Sequence, residues 1–286
     1  MRLLSFLLAF LIGAGIIIGV QKYHGGSTIT TPAATNTLQR VIDTGVLRCG
    51  YYVFAPYVYK DDATGKLSGP SVDIMERIAE DLGVKIEWAE EQSFGTWATA
   101  LQTRRIDMMC APLWTLTSMA REVVFSSPIF FTKVNMYVRE GDTRFDGDLN
   151  KFNSPDVTLS VIENNVTIGM AKLYFPLAKT TVLPPSSNSS HTALDVITNK
   201  ADALFWDSIE FIPYEKSNPG KLRNATEANF VRVMPLSFGF TRGDEQLANT
   251  INTALRELDY SGFIKTTLAK WLPAGAYKLP AAPYAQ

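Results

Sequence analysis

The side chains able to do chemistry in this chain are carboxylates set among aromatic rings. Asp207 closes the apolar run Ala203-Leu204-Phe205-Trp206, a strand pattern, so its carboxylate is expected at a strand end. Tyr51, Tyr52, Phe54 and Tyr57 crowd one stretch, and Trp114 and Trp206 stand in two others. Rings beside a carboxylate hold a cation, the rings through their negative faces and the carboxylate through charge. The competing account of Asp207 is a cap on the helix that starts near Ser208. Glu163 adds a second negative charge in the turn Glu163-Asn164-Asn165-Val166-Thr167, where a solvated loop residue is an equally good reading. Asn164 and Asn165 tolerate unusual turn geometry and offer amide hydrogen bonds. Arg121 is the candidate cation for an anionic group, set against a surface position on a helix or turn. Strand alternation puts Tyr51 and Trp206 in the core and leaves Phe54 and Trp114 facing a ligand.

Other chemistries find few residues to use. The only histidines are His24 and His191, so imidazole catalysis has a single ring in the folded body. Cys49 and Cys110 have no metal-ligand spacing, and neither metal nor cofactor is expected. Both read as small buried thiols, because adjacent parallel strands rarely offer disulfide geometry. A net charge of −1 and a pI of about 6.2 give no basic field for nucleic acid. No phosphate-cradling glycine loop and no Ser-His-Asp pattern is present.

The elements that must position these groups follow an α/β order. Residues 38–44 read as a short helix leading into a strand at 46–50. Apolar positions Val72, Ile74, Met75, Ile78, Ala79 and Leu82 make one helix face that Gly83 ends. Strands are expected at 84–88 and 106–110, with a helix at 97–103 between them. This β-α-β-α-β order predicts a parallel sheet with helices on its faces. A second such unit runs from 157 to 205. Leu247, Ile251, Leu255 and Leu258 begin a closing helical stretch that Gly262 interrupts. The Pro-rich tail from 273 reads as loosely ordered. Two α/β halves imply two lobes with a ligand cleft at the carboxyl ends of the strands.

Residues 3–20 carry no charge and could cross a bilayer as a helix. No clear small-residue cleavage site follows, so an uncleaved anchor (1–22) is favoured over a cleaved signal peptide. Arg2 weakly favours an inside N-terminus. A Gly/Ser/Thr/Pro/Ala tether, 23–37, would hold the body off the membrane.

In this order the segments Gly45-Val46-Leu47-Arg48-Cys49-Gly50, Gly65-Lys66-Leu67-Ser68-Gly69, Arg121-Glu122-Val123-Val124-Phe125-Ser126-Ser127-Pro128 and Lys200-Ala201-Asp202-Ala203 are familiar. The chain resembles the bacterial extracellular solute-binding proteins of family 3, the amino-acid receptors of ABC transporters, over about 38–272. The resemblance implies a two-lobed type II periplasmic-binding-protein fold. Lobe 1 would be 38–132 completed by 241–275, lobe 2 would be 133–240, and 276–286 a tail. It also implies a monomeric receptor at the periplasmic face of the inner membrane, with a permease as partner and lobes that close on a ligand. In the family an Asp at the position of Asp207 pairs with the ligand's α-ammonium, and an Arg binds its α-carboxylate. Here Met119 stands in the arginine's place, Arg121 lies two residues on, and Pro112 has no N–H to donate. The expected ligand is therefore an amine-bearing or cationic solute, held by Asp207 with Phe54 and Trp114 as walls. Two other readings stay open. One is a membrane-tethered sensor or scaffold; the other is a dehydratase-like enzyme with Glu163 as acid.

Overall fold

The computed structural model describes residues 36–281, so the expected anchor and most of the tether lie outside the described residues. The first half opens with helix α1 (Thr37–Thr44) and strand β1 (Val46–Tyr51). A small hairpin follows, β2 (Tyr59–Lys60) and β3 (Leu67–Ser68), and then α2 (Pro70–Leu82). Proline at the first turn of α2 has no amide to leave unpaired. Gly83 ends the helix at φ 68°, its N–H donating to the carbonyls of Ala79 and Glu80. The apolar face anticipated from the spacing, with Val72, Ile74, Met75 and Ile78, is buried. Strand β4 (Lys85–Glu91), helix α3 (Trp97–Gln102), β5 (Met108–Trp114) and the short β6 (Val123–Phe125) complete this half.

Two long strands lead out and back, β7 (Phe130–Arg139) and β12 (Arg232–Thr241). Between them lie β8 (Thr158–Ile162), α4 (Val166–Tyr174), β9 (Lys179–Leu183), α5 (Ser189–Ile197), β10 (Ala203–Asp207), α6 (Phe211–Ser217) and β11 (Leu222–Asn224). Helices α7 (Glu245–Tyr260) and α8 (Phe263–Trp271) close the chain, separated at Gly262, which takes φ 78°. The main sheet runs β4-β1-β5-β12-β7-β10-β8-β9. Strands β1, β4 and β5 are mutually parallel, as are β8, β9 and β10, in line with the helical crossovers.

The antiparallel β7–β12 pair joins the two parallel halves. Residues Phe130 to Val134 pair with Leu236 to Arg232. Beyond this crossing, β7 turns to β10 and β11, while the far end of β12 pairs with β5 and β6. Asp207, the last residue of β10, lies opposite Val134 at the edge of the crossing.

Two expectations are corrected. Cys49 and Cys110 form a disulfide, with Cα atoms 5.5 Å apart. Cys49 pairs with Met108, so Cys110 lies two residues further along the neighbouring strand. Both side chains therefore leave the same face of the sheet within bonding reach, although the strands are parallel. The tail is also tied down over its described part. Lys278 and Phe131 exchange backbone hydrogen bonds of 2.9 and 2.7 Å, and the Tyr277 ring packs on Phe130 at 6.2 Å. At Phe131 one edge of β7 is not yet covered by β10, and the tail satisfies its backbone groups.

Asp107 fastens the outer side of the first half. It is 2% exposed and accepts from the Arg48 backbone N–H at 2.7 Å, from the Arg48 guanidinium at 2.8 Å, and from Arg40.

Candidate functional site

A cavity of about 60 Å³ lies between the two halves, at the carboxyl ends of the parallel strands. Its first wall is aromatic. Tyr52 and Phe54 follow β1, Phe94 follows β4, and Trp114 ends β5. Tyr52, Phe54 and Phe94 form an edge-to-face triangle with centroids 5.0 to 5.4 Å apart. The Tyr52 hydroxyl donates to the Pro112 carbonyl, which fixes the ring. Burial raises the Tyr52 pKa well above the phenolic range, so this hydroxyl is a donor throughout the physiological range. Met119, the residue expected in the arginine's place, also lines the cavity.

The opposite wall carries polar groups: Ser160 at β8, Asn165 and Thr167 at the start of α4, Ser189 and Thr192 on α5, and Glu210 after β10. The helix starts are already capped. The Asn165 side chain accepts from the Thr167 N–H, and the Asn188 side chain accepts from the N–H groups of Ser190 and His191. The hydroxyl of Ser160 donates to buried Asp195 at 2.9 Å.

Asp207 lies beneath this wall rather than in it. It is 0% exposed. Its Oδ1 accepts from the Tyr57 hydroxyl at 2.9 Å and from the N–H groups of Ile209 and Glu210 at 2.7 and 3.3 Å. Its Oδ2 accepts from the Thr132 hydroxyl at 2.7 Å. Oδ1 thus takes three of the four hydrogen bonds and Oδ2 one, which uses most of a carboxylate's roughly four acceptor positions. Burial pushes the Asp207 pKa up, and the four hydrogen bonds pull it back. The capping role, set out as the competing account, describes two of these bonds. The other two tie the residue to Tyr57 and to the crossing strand.

The carboxylate that faces the cavity is Glu210, which sequence reasoning missed. It is half-buried, and the turn that Asp207 caps folds it back over the end of β10. Burial drives its pKa well above the usual carboxylate range and the Asp207 charge adds to the rise. The Ser189 hydroxyl opposes the rise, as does the Trp206 indole N–H, which lies toward the carboxyl but short of a full hydrogen bond. The available signal was the strand-end Asp207 itself, since the turn it caps returns the third following residue to the strand end.

Of the residues singled out from the sequence, Tyr52, Phe54, Trp114 and Asn165 line the cavity together. Tyr57 is fully buried behind them. Asn164 is exposed at φ 56°, in the left-handed conformation that asparagine tolerates, and Glu163 is exposed beside it. Arg121 is exposed on the outer surface, beside Arg242, whose guanidinium donates to the Arg121 carbonyl at 3.0 Å. No Lys or Arg lines the cavity among the described residues.

The two walls also touch directly. The Ser93 hydroxyl and the Gly95 N–H both donate to the Pro185 carbonyl, at 2.7 and 3.1 Å, and the Asn165 amide donates to the Phe94 carbonyl at 3.3 Å. Gly95 permits this approach, because a Cβ there would stand 2.6 Å from the Glu163 carbonyl oxygen and from Pro185. Gly95→Ala is therefore expected to wedge the halves apart. Small-angle scattering should show a larger radius of gyration for the variant; an unchanged radius would contradict the contact.

The chain matches the model of the bacterial extracellular solute-binding proteins, family 3, over residues 47–274. An L-arginine-binding protein of Pseudomonas aeruginosa is 25% identical over 223 residues, which cover 74% of this chain and 82% of that protein. The L-cystine-binding protein TcyJ of Escherichia coli K12 is 21% identical over 274 residues, 93% of this chain and 98% of that one. Among solved structures, the ancestral amino acid-binding protein AncCDT-1, a precursor of cyclohexadienyl dehydratase, is 25% identical with a TM-score of 0.69. The match covers 83% of this chain and all of that one. Sheet order, crossing strands and a cavity at the strand ends thus coincide with a family match over most of the chain, which belongs to the bacterial extracellular solute-binding proteins of family 3.

Proposed function

We propose that this protein is a non-enzymatic receptor that captures a small amine-bearing solute, an amino acid or a related compound, between its lobes for an ABC permease. The observation that carries this reading is the interlobe cavity, walled by aromatic rings and holding Glu210 as its carboxylate. A desolvated carboxylate beside ring faces suits a cation. The relatives named for arginine and cystine binding support the ligand class. At about 60 Å³ the cavity is small beside the roughly 300–1,000 Å³ of typical ligand sites, so ligand entry goes with a change in lobe separation. The body works as a monomer outside the cytoplasm, tethered to the inner membrane by the apolar leader. A disulfide in the core suits that oxidising compartment. Glu163, the acid of the enzyme reading, is exposed and is not among the residues that line the cavity, which favours the receptor.

A thermal-shift screen of the full-length protein in mild detergent tests the reading, because a ligand that binds only the folded state raises the melting temperature. Amino acids, amines, polyamines and small organic acids form the panel. A rise with an amine-bearing compound is expected; no rise with any of them would contradict the proposal.

The pH dependence has a definite sign. Asp207, Tyr52, Tyr57 and Tyr137 are the titratable groups that sense Glu210, and all are acids. Nothing among them lowers the Glu210 pKa, so part of the free protein is protonated there above the ordinary carboxylate range. A cationic ligand needs the ionised form and displaces that proton. Affinity should therefore rise with pH through the raised Glu210 pKa and level off above it, about tenfold per pH unit on the steep part. Calorimetry in buffers of different ionisation enthalpy should show proton release; proton uptake would contradict it.

A further inference from the structure

We infer that the cleft selects a monocationic amine whose second polar group is neutral, such as an amino-acid amide or ester, and rejects the zwitterionic α-amino acid. The inference rests on the receptor reading and narrows its ligand. Three features of the cavity lead to it.

The first is charge. Glu210 is the carboxylate in the cavity wall, and no Lys or Arg lines that wall among the described residues. A bound monocation is neutralised by one carboxylate. A zwitterion would bring its own carboxylate to a desolvated site without a counterion. At the two helix starts the Thr167 N–H is taken by the Asn165 side chain and the Ser190 and His191 N–H groups by the Asn188 side chain, so these three donors do not serve an anion.

The second is the fate of Asp207. It is fully buried, is not among the residues that line the cavity, and accepts four hydrogen bonds from within the protein, from the Tyr57 and Thr132 hydroxyls and two backbone N–H groups. The Tyr57 hydroxyl occupies an acceptor that an ammonium would need, and Tyr57 is fully buried. The cation is left with Glu210.

The third is Trp114. Trp114 lines the cavity, and its indole Nε1 is buried with no hydrogen-bond partner among the described residues. Indole N–H is a donor only. A buried donor without an acceptor is costly, and a carbonyl or ether oxygen on the ligand would satisfy it. One ammonium toward Glu210 and one neutral acceptor toward Trp114, with an apolar body against Phe54, Phe94 and Met119, describe the compound.

Isothermal titration of the full-length protein with matched pairs tests this: glycine and glycinamide, alanine and alaninamide, leucine and leucinamide, phenylalanine and phenylalaninamide. At least one amide is expected to bind at least tenfold tighter than its parent acid. Glu210→Gln should weaken that amide at least tenfold, and Trp114→Phe should weaken it several-fold while keeping the ring. The comparison of acid with amide needs no variant, so a folding defect cannot mask the result. An acid that binds as tightly as its amide overturns the inference and leaves the receptor reading intact. Amide binding unchanged by Glu210→Gln also overturns it. Failure of every acid and every amide overturns it too, and if the wider solute screen is equally silent, the receptor reading falls with it.

Discussion

Glu210→Gln should abolish amine binding and leave the fold in place. Substitution keeps the side-chain volume and removes the negative charge. Breaking one side of a buried, hydrogen-bonded charge pair costs about 3–5 kcal/mol, or roughly 10²–10⁴-fold in affinity. Melting without ligand should change little or rise slightly, because the carboxyl is desolvated in the empty cavity. Asp207→Asn should behave oppositely. It replaces acceptors that Tyr57, Thr132 and two backbone N–H groups use, so its first effect is on stability, about 1–3 kcal/mol. Titration and denaturant unfolding of both variants separate the two roles. Equal losses of affinity and stability in both would mean that Glu210 acts only through the fold.

The second large effect concerns the disulfide. Cys49 and Cys110 are separated by 61 residues and both are fully buried. Closing a loop of that length restricts the unfolded chain by about 4 kcal/mol in the chain-entropy account, and native disulfides contribute about 2–4 kcal/mol. For a body of this size each kcal/mol moves the melting point by roughly 2–4 °C. Cys49→Ala with Cys110→Ala should therefore lower it by about 10 °C. The wild type in strong reductant should approach the same value once the buried bond is reached. A melting point that is unchanged in the double variant would contradict the bond.

Much of the fold was legible because its signals are local and periodic. The buried face of α2, the Gly83 cap and the break at Gly262 each follow from side-chain spacing and backbone conformation within one segment. The parallel halves followed from the alternation of strands and helices. The disulfide was not legible, because it depends on the register of β1 against β5, which places Cys110 diagonally across from Cys49. The tail was misread for a related reason: its partner, Phe131, lies far back in the chain and becomes available only where β7 crosses.

The site was half legible. The rings Tyr52, Phe54 and Trp114 lie at the ends of recognisable strands, and their type announces a wall. Asp207 was conspicuous for the same reason. Its hydrogen bonds from Tyr57 and Thr132 were hidden, because those donors come from a loop and a crossing strand far away in sequence. Glu210 was hidden by the turn, whose hydrogen bond from the Glu210 N–H to Asp207 turns the chain back toward the cavity. Arg121, a plausible substitute on spacing alone, sits on a one-turn helix whose residues are not buried.

A crystal structure of the protein with the tightest amine found by titration would locate the cation directly. Its ammonium nitrogen is expected within about 3 Å of a Glu210 carboxylate oxygen, in the aromatic cleft, with the Tyr57–Asp207 hydrogen bond intact. An ammonium bound at Asp207 with Tyr57 displaced, or bound outside the cleft, would contradict it.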